Sequence, residues 1–209
     1  LLASFADIYV NDAFSCSHRD HASVTKITKF IPSYCGLQMN TEINALKKVT
    51  SDIKRPITCI IGGSKISSKI SVIKNLIPKF ENLIIVGGMA NNILKYMGHE
   101  IGKSIKENNC ELIIQEIFSL AKKNDCKIHY PIDVVVGKNL DGNASIKNLF
   151  EVNKDDLILD IGPLTIKEIK SLISDSKTVL WNGPAGYFEN KNFLNGTISI
   201  AETISKNTK

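Results

Sequence analysis

Ile57-Thr58-Cys59-Ile60-Ile61-Gly62-Gly63-Ser64-Lys65-Ile66-Ser67-Ser68-Lys69 is the stretch on which the reading of this chain turns. Ile57, Thr58, Ile60 and Ile61 form a β-branched, apolar run that reads as a buried strand, and it stops at a double glycine. Glycine has no Cβ, so the chain can turn tightly there and offer its N–H groups at close range to a phosphate. Beyond the turn, Ile66, Ile70, Ile73 and Ile77 recur at helical spacing. That spacing predicts a helix starting near Ser64, with Lys65 and Lys69 one turn apart on one face. Two ammonium groups at the positive end of a helix dipole repel each other and the dipole, and an anion between them removes the conflict. The pattern is neither G-x-x-x-x-G-K-[ST] nor G-x-G-x-x-G. Alone, it is more often a plain Gly-Gly turn with two solvated lysines.

Working outward, the same arrangement recurs. Leu83–Val86 is a second apolar strand, ending in Gly87-Gly88 before a helical stretch over Met89–Tyr96. Cys110–Asn124 carries apolar residues at 113, 117, 120 and 121, a helical pattern. Lys127–His129 and Val134–Val136 are strand candidates around Pro131. Leu157–Ile161 runs into Gly162-Pro163 and a helical Ile166–Ile173. Thr178–Trp181 runs into Asn182-Gly183-Pro184, and Phe193–Ser205 closes with a helix. Strands alternating with helices predict an α/β domain built on a mainly parallel sheet. Ligands of such sheets bind outside the carboxyl ends of the strands, so the glycine-marked ends at 62–63, 87–88, 162–163 and 183–184 are expected to share one rim.

The first fifty residues differ. Asp7–Val10 reads as a short strand followed by the polar turn Asn11-Asp12, and Ser17-His18-Arg19-Asp20-His21 as a charged loop. Met39, Ile43, Leu46 and Val49 have helical spacing, and Asp52-Ile53-Lys54-Arg55-Pro56 reads as a boundary. With 209 residues, 43% hydrophobic and 22% charged, the composition is that of a soluble globular protein. The net charge of +5 comes from lysines scattered along the chain. It gives weak support for anionic ligands and none for nucleic acid. Five cysteines without a C-x-x-C pair suggest neither a disulfide framework nor a zinc site, and favour a reducing, cytoplasmic compartment. No run is long and apolar enough to predict a membrane span. The start, Leu1-Leu2-Ala3-Ser4-Phe5-Ala6, resembles neither a signal peptide nor a natural N-terminus.

Several of these stretches together resemble phosphoglycerate kinases. They are Tyr9-Val10-Asn11-Asp12-Ala13-Phe14 with His18-Arg19-Asp20-His21-Ala22-Ser23; Gly62-Gly63-Ser64-Lys65-Ile66-Ser67-Ser68-Lys69-Ile70; Gly87-Gly88-Met89-Ala90-Asn91; Tyr130-Pro131-Ile132-Asp133-Val134-Val135; Asp160-Ile161-Gly162-Pro163; and Trp181-Asn182-Gly183-Pro184-Ala185-Gly186-Tyr187-Phe188-Glu189. They follow the family's order from residue 9 to residue 189. The resemblance implies a three-layer, Rossmann-like nucleotide lobe over 56–209. It makes 36–55 an interdomain helix and linker, and 1–35 the remnant of a second α/β lobe that binds phosphoglycerate. The family's chains are roughly twice this length, two lobes of ordinary domain size. Most of the first lobe, and the late G-G-G-D-[ST] element whose Asp serves the metal–nucleotide, are not found here. The expectation is therefore an internal fragment with little or no activity of its own, and no protein-held metal.

The resemblance implies reversible phosphoryl transfer between 1,3-bisphosphoglycerate and Mg-ADP, giving 3-phosphoglycerate and ATP, by a monomer that binds neither nucleic acid nor membrane. It makes Lys69 and Arg19 catalytic. Nucleotide would be held by Gly63, Ser64, Lys65, Lys69, Gly87, Gly88, Asn182, Gly183, Pro184 and Glu189, the last accepting from ribose hydroxyls. Arg19 and His18 would hold phosphoglycerate, the guanidinium fork matching planar oxyanions. Plainer alternatives stand beside these roles. Gly87 and Gly88 can border an adenine slot or only allow tight helix–strand packing, and Asn182-Gly183-Pro184 can be a simple strand-to-loop turn. The histidines can be surface residues, and Trp181 reads as core. The rival functions are a non-catalytic nucleotide-binding module and, disfavoured by the missing G-x-G-x-x-G, a nicotinamide-dependent dehydrogenase.

Overall fold

The computed structural model describes residues 1–51 and 53–207; Asp52 of the predicted boundary and the last two residues lie outside the described residues, as do the side chains of 49–51, including the predicted apolar position Val49. The chain divides into two compact units, Leu1–Ile53 and Lys54–Lys209.

In the first unit, β1 (Tyr9–Asn11) pairs in parallel with β2 (Ser33–Cys35), Tyr9 opposite Ser33. The Asn11 side chain accepts a hydrogen bond from the Ala13 N–H at 3.1 Å, closing the polar turn predicted at Asn11-Asp12. Asp12 accepts from the Met39 N–H at 2.8 Å, where α1 (Leu37–Ser51) begins. A carboxylate there satisfies a donor that the helix cannot. The predicted stripe runs from buried Met39 through half-buried Ile43 to exposed Leu46.

The second unit runs β3 (Ile57–Ile61), α2 (Ile70–Leu76), β4 (Asn82–Ile85), α3 (Gly88–Tyr96), α4 (Glu111–Lys123), β5 (Lys127–His129), β6 (Asp133–Gly137), β7 (Ser145–Asn148), β8 (Leu157–Ile161), α5 (Pro163–Asp175), β9 (Thr178–Asn182) and α6 (Asn195–Asn207). β3 lies inside a parallel sheet of order β5-β4-β3-β9. All five of its residues are buried, as a β-branched run covered on both faces should be. The steps from β3 to β4 to β5 run one way, so right-handed crossovers put α2, α3 and α4 on one face. The step to β9 runs the other way and puts α5 on the opposite face. Ile60, Ile84 and Val86 pack there with Ile166, Ile169 and Ile173 of α5 and Ile200 of α6. Each such side chain, taken from water, stabilises the fold by roughly 1.5–3 kcal/mol before chain entropy is counted. The result is the α/β architecture expected, three layers around a parallel sheet. No helix among the described residues is long and apolar enough to cross a membrane.

Three local expectations change. The helix near Ser64 begins only at Ile70, after a single 3-10 turn at Ser67–Lys69. Gly63 has φ +120°, Ile66 is fully buried, and the Ser67 N–H is taken by Glu107 rather than by a helical ladder. Lys65 and Lys69 therefore do not share a helical face. The strands at 133–137 and 157–161 belong to a separate antiparallel sheet of order β7-β6-β8, so Gly162-Pro163 is not on the rim of the parallel sheet. Its work is to start α5: Asp133 accepts from the Leu164 and Thr165 N–H groups at 2.9 and 2.8 Å, and the Asp133 side chain fills the space beside Gly162. In α4 the buried positions are 114, 117 and 121, a slight rotation from the predicted stripe.

Candidate functional site

The carboxyl ends of β3, β4 and β9 meet backbone to backbone. The Gly62 N–H donates to the Asn182 carbonyl at 2.7 Å, and the Met89 N–H to the Gly63 carbonyl at 2.8 Å. A Cβ on Gly62 would stand 2.0 Å from the Pro184 oxygen, and one on Gly183 2.6 Å from the Gly62 oxygen. Gly87, at φ +66°, would bring a Cβ to 3.1 Å from both the Gly63 nitrogen and the Pro184 oxygen. The glycines at three of the four marked ends are thus needed for three turns to touch.

This junction borders a cleft of about 690 Å³, within the range of small-molecule sites. Of the residues expected at a nucleotide site, Gly63, Ser64, Gly87, Gly88, Pro184 and Glu189 line it. Gly183 lies against Gly62, and the Lys69 ammonium donates to the Asn182 side-chain carbonyl. Asn182 is the last residue of β9 and Lys69 the residue before α2, so the contact ties two strand ends together with a cation. Lys65 is exposed. Trp181 is half-buried against the α5–α6 core, its indole N–H donating to the Gly183 carbonyl at 2.7 Å. The Tyr187 N–H donates to the Leu159 carbonyl at 2.7 Å, and Asn190 Nδ2 to the Leu140 carbonyl at 2.8 Å. These bonds hold the segment that carries exposed Glu189. Arg19 and His18 lie in the other unit, exposed in the turn between the short helices Phe14–Cys16 and Ala22–Lys26.

Other residues of the cleft had no assigned role in the sequence. β8 contributes its whole length, and Lys103, Ser104 and Ile105 add a further stretch. Asp160 is 3% exposed and accepts from the Ile161 and Gly196 N–H groups at 2.9 and 2.7 Å. Burial pushes its carboxyl up to about 6, against those two hydrogen bonds. Asn91 is buried with Nδ2 donating to the Ile105 carbonyl at 3.1 Å, while its Oδ1 has no partner among the described residues. No group of three or more His, Cys, Asp or Glu among the described residues could hold a metal ion.

The family model described as phosphoglycerate kinase matches residues 1–209. A phosphoglycerate kinase of Wolbachia pipientis wMel is 49% identical over 205 residues, which cover 98% of this chain and 52% of that protein. One of Dictyoglomus turgidum is 46% identical over 208 residues, 99% of this chain and 52% of that protein. Among solved structures, phosphoglycerate kinase from Coxiella burnetii superposes with a TM-score of 0.89 at 35% identity, covering 99% of this chain and 54% of that one. The enzyme from Pyrococcus horikoshii OT3 does so with a TM-score of 0.83 at 24% identity, a likeness of fold, over 99% of this chain and 53% of that one. The chain spans about half the length of the relatives it matches.

Proposed function

The chain belongs to the phosphoglycerate kinase family, and from that premise we propose that it supplies the nucleotide half of a kinase that moves a phosphoryl group reversibly between 1,3-bisphosphoglycerate and Mg-ADP. The products are 3-phosphoglycerate and ATP. The observation that carries this reading is the junction of three glycine-marked strand ends, with Lys69 fastened to it, beside a cleft that reaches Glu189.

Phosphoryl transfer asks for placement and neutralisation of charge more than for covalent chemistry. Gly63, Ser64, Gly87 and Gly88 let backbone come close to the phosphates. Lys69, held by Asn182 until phosphate arrives, moves its charge to the transferring group, and Lys65 adds a second cation. Gly183 and Pro184 form the adjoining wall, and Glu189 accepts from the ribose diol. Arg19, with His18 beside it, binds the carboxylate or phosphate of phosphoglycerate. Mg²⁺ enters as part of the nucleotide substrate. Closure of the two lobes brings the substrates together and excludes water. We read the protein as a cytoplasmic monomer; its five cysteines are free thiols.

The second reading, a nucleotide-binding module without catalysis, is favoured by one observation: every residue lining the cleft lies in the unit Lys54–Lys209. The test isolates the 209-residue chain. Its thermal midpoint is measured with Mg-ADP and with 3-phosphoglycerate, and its turnover in a coupled assay. A rise with Mg-ADP and no turnover is expected. No response to Mg-ADP overturns the nucleotide reading, and turnover at the rate of a whole kinase overturns the claim that essential groups lie outside this chain. Turnover by the complete protein separates kinase from module.

A further inference from the structure

We propose that Glu107 is a positioning residue for phosphate binding: it fastens the loop that carries Lys65 and Lys69 to α3, so that both ammonium groups are presented to the nucleotide. The inference rests on the nucleotide reading of the cleft and goes beyond it, because Glu107 does not line the cleft itself.

The loop needs such a fastening. Between the end of β3 and the start of α2, residues 62–66 have no regular structure, and Gly63 adopts φ +120°. The one fully buried side chain in 64–69 is Ile66, which pins the loop from below and leaves the polar residues outside. Glu107 supplies the outer fastening. Its Oε2 accepts from the Ser67 N–H at 3.0 Å and its Oε1 from the Ser67 hydroxyl. Ser67 is central between the two lysines.

Glu107 is itself held. Its own N–H donates to Asn92 Oδ1 at 2.7 Å, and two residues earlier the Ile105 carbonyl accepts from Asn91. Asn91 and Asn92 are consecutive in α3, the helix that starts at Gly88. Residues 105–107 thus bridge the turn after β4 and the loop after β3, two of the strand ends that meet at the junction. Burial raises the Glu107 carboxyl, but the Ser67 hydroxyl, the Ser67 and Ile66 N–H groups and the nearby Lys65 charge outweigh it and hold the group below the usual carboxylate range. It is therefore ionised at neutral pH, and its bonds to Ser67 are of the stronger, charge-assisted kind. A loop already ordered spares the bound nucleotide the ordering entropy of these residues.

The role predicts a loss specific to phosphate. In the complete protein, Glu107→Gln keeps the shape but loses the charge and one acceptor. ADP affinity, measured by calorimetry, should fall about tenfold, equivalent to ~1.4 kcal/mol. Adenosine affinity should be unchanged, because no phosphate is involved. Ser67→Ala should lower ADP affinity in the same direction, and the double variant should be no worse than Glu107→Gln, since the two act through one contact. Amide hydrogen exchange over residues 65–69 should accelerate in Glu107→Gln. Equal losses for ADP and adenosine would mean general loosening and overturn the proposal. So would wild-type ADP affinity in Glu107→Gln, additive losses in the double variant, or unchanged exchange. Failure of the unsubstituted protein to bind ADP would instead overturn the nucleotide reading, and the proposal with it.

Discussion

Gly62→Ala is the most direct probe of the strand-end junction. The new Cβ would lie 2.0 Å from the Pro184 oxygen and 2.9 Å from the Gly183 carbonyl carbon, where ordinary contact begins near 3.4 Å. Both obstacles are backbone, so no side chain can swing away, and the turns after β3 and β9 must separate by more than an ångström. That movement breaks or lengthens the 2.7 Å bond from the Gly62 N–H to the Asn182 carbonyl. The lost bond costs about 1 kcal/mol and the forced separation roughly 1–3. Alanine returns about 0.4–1 kcal/mol by narrowing the unfolded ensemble. A net destabilisation of about 2 kcal/mol follows, a drop of roughly 4–8 °C in the midpoint of a unit this size. The separation also pulls Asn182 away from Lys69, so the response to Mg-ADP should weaken at protein concentrations where the fold is intact.

Gly63→Ala is the control. A Cβ at Gly63 meets nothing within 4 Å, but φ is +120°, a backbone conformation costing on the order of 1–3 kcal/mol for an L side chain. It should lower stability through strain without parting β3 from β9. Trp181, the single tryptophan, lies in β9 with its indole bonded to Gly183, so urea unfolding followed by its fluorescence reports on this unit. Gly62→Ala as stable as the unsubstituted protein, or with an unaltered Trp181 spectrum and unaltered Mg-ADP response, would refute the reading of the junction.

Three further outcomes are expected. Lys69→Ala should reduce turnover of the complete protein by about 10²–10³-fold, with urea stability nearly unchanged; equal turnover in both proteins defeats the assignment. Asp133→Ala should cost about 2–4 kcal/mol in thermal or urea unfolding, because Asp133 is 3% exposed and its loss strands the Leu164 and Thr165 N–H groups at the start of α5. The Asp160 carboxyl, pushed up by burial from 3.8 to about 6, keeps in the folded state a proton that the unfolded chain releases. Its contribution should therefore favour folding below pH ~4 and be lost as pH rises toward about 6, by about 3 kcal/mol across the window. Asp160→Asn should flatten that slope in urea titrations between pH 4 and 7, while the opposite effect of Asp156 falls at lower pH, since the Lys138 and Lys147 ammonium groups and the Asn153 N–H outweigh its burial and hold it near 2.

How much of this could be read from residues alone depends on whether a structural need leaves a local pattern. β3 and β4 were legible because strands covered on both faces must be apolar along their length, and the turns beyond them must be glycine where backbones touch. β7 was not, since three of its four residues are exposed on an edge and Ser145-Ile146-Lys147-Asn148 carries no strand signal. Without a signal for β7, nothing in the sequence separates 157–161 from the parallel sheet. The early helix start has a different cause. Ile66 fits the helical period of Ile70, Ile73 and Ile77 because burial demands an apolar residue there, yet an irregular loop can meet the same demand. The placement of the lysines then depends on a bond from Ser67 to Glu107, 40 residues away. A single acidic residue in a polar stretch gives no sign of such a partner. The backbone of the candidate site was thus foreseeable from glycine and periodicity. The orientation of its cations was not, because long-range contacts set it, and substitutions at Glu107 and Ser67 test that orientation more directly than changes in the glycines.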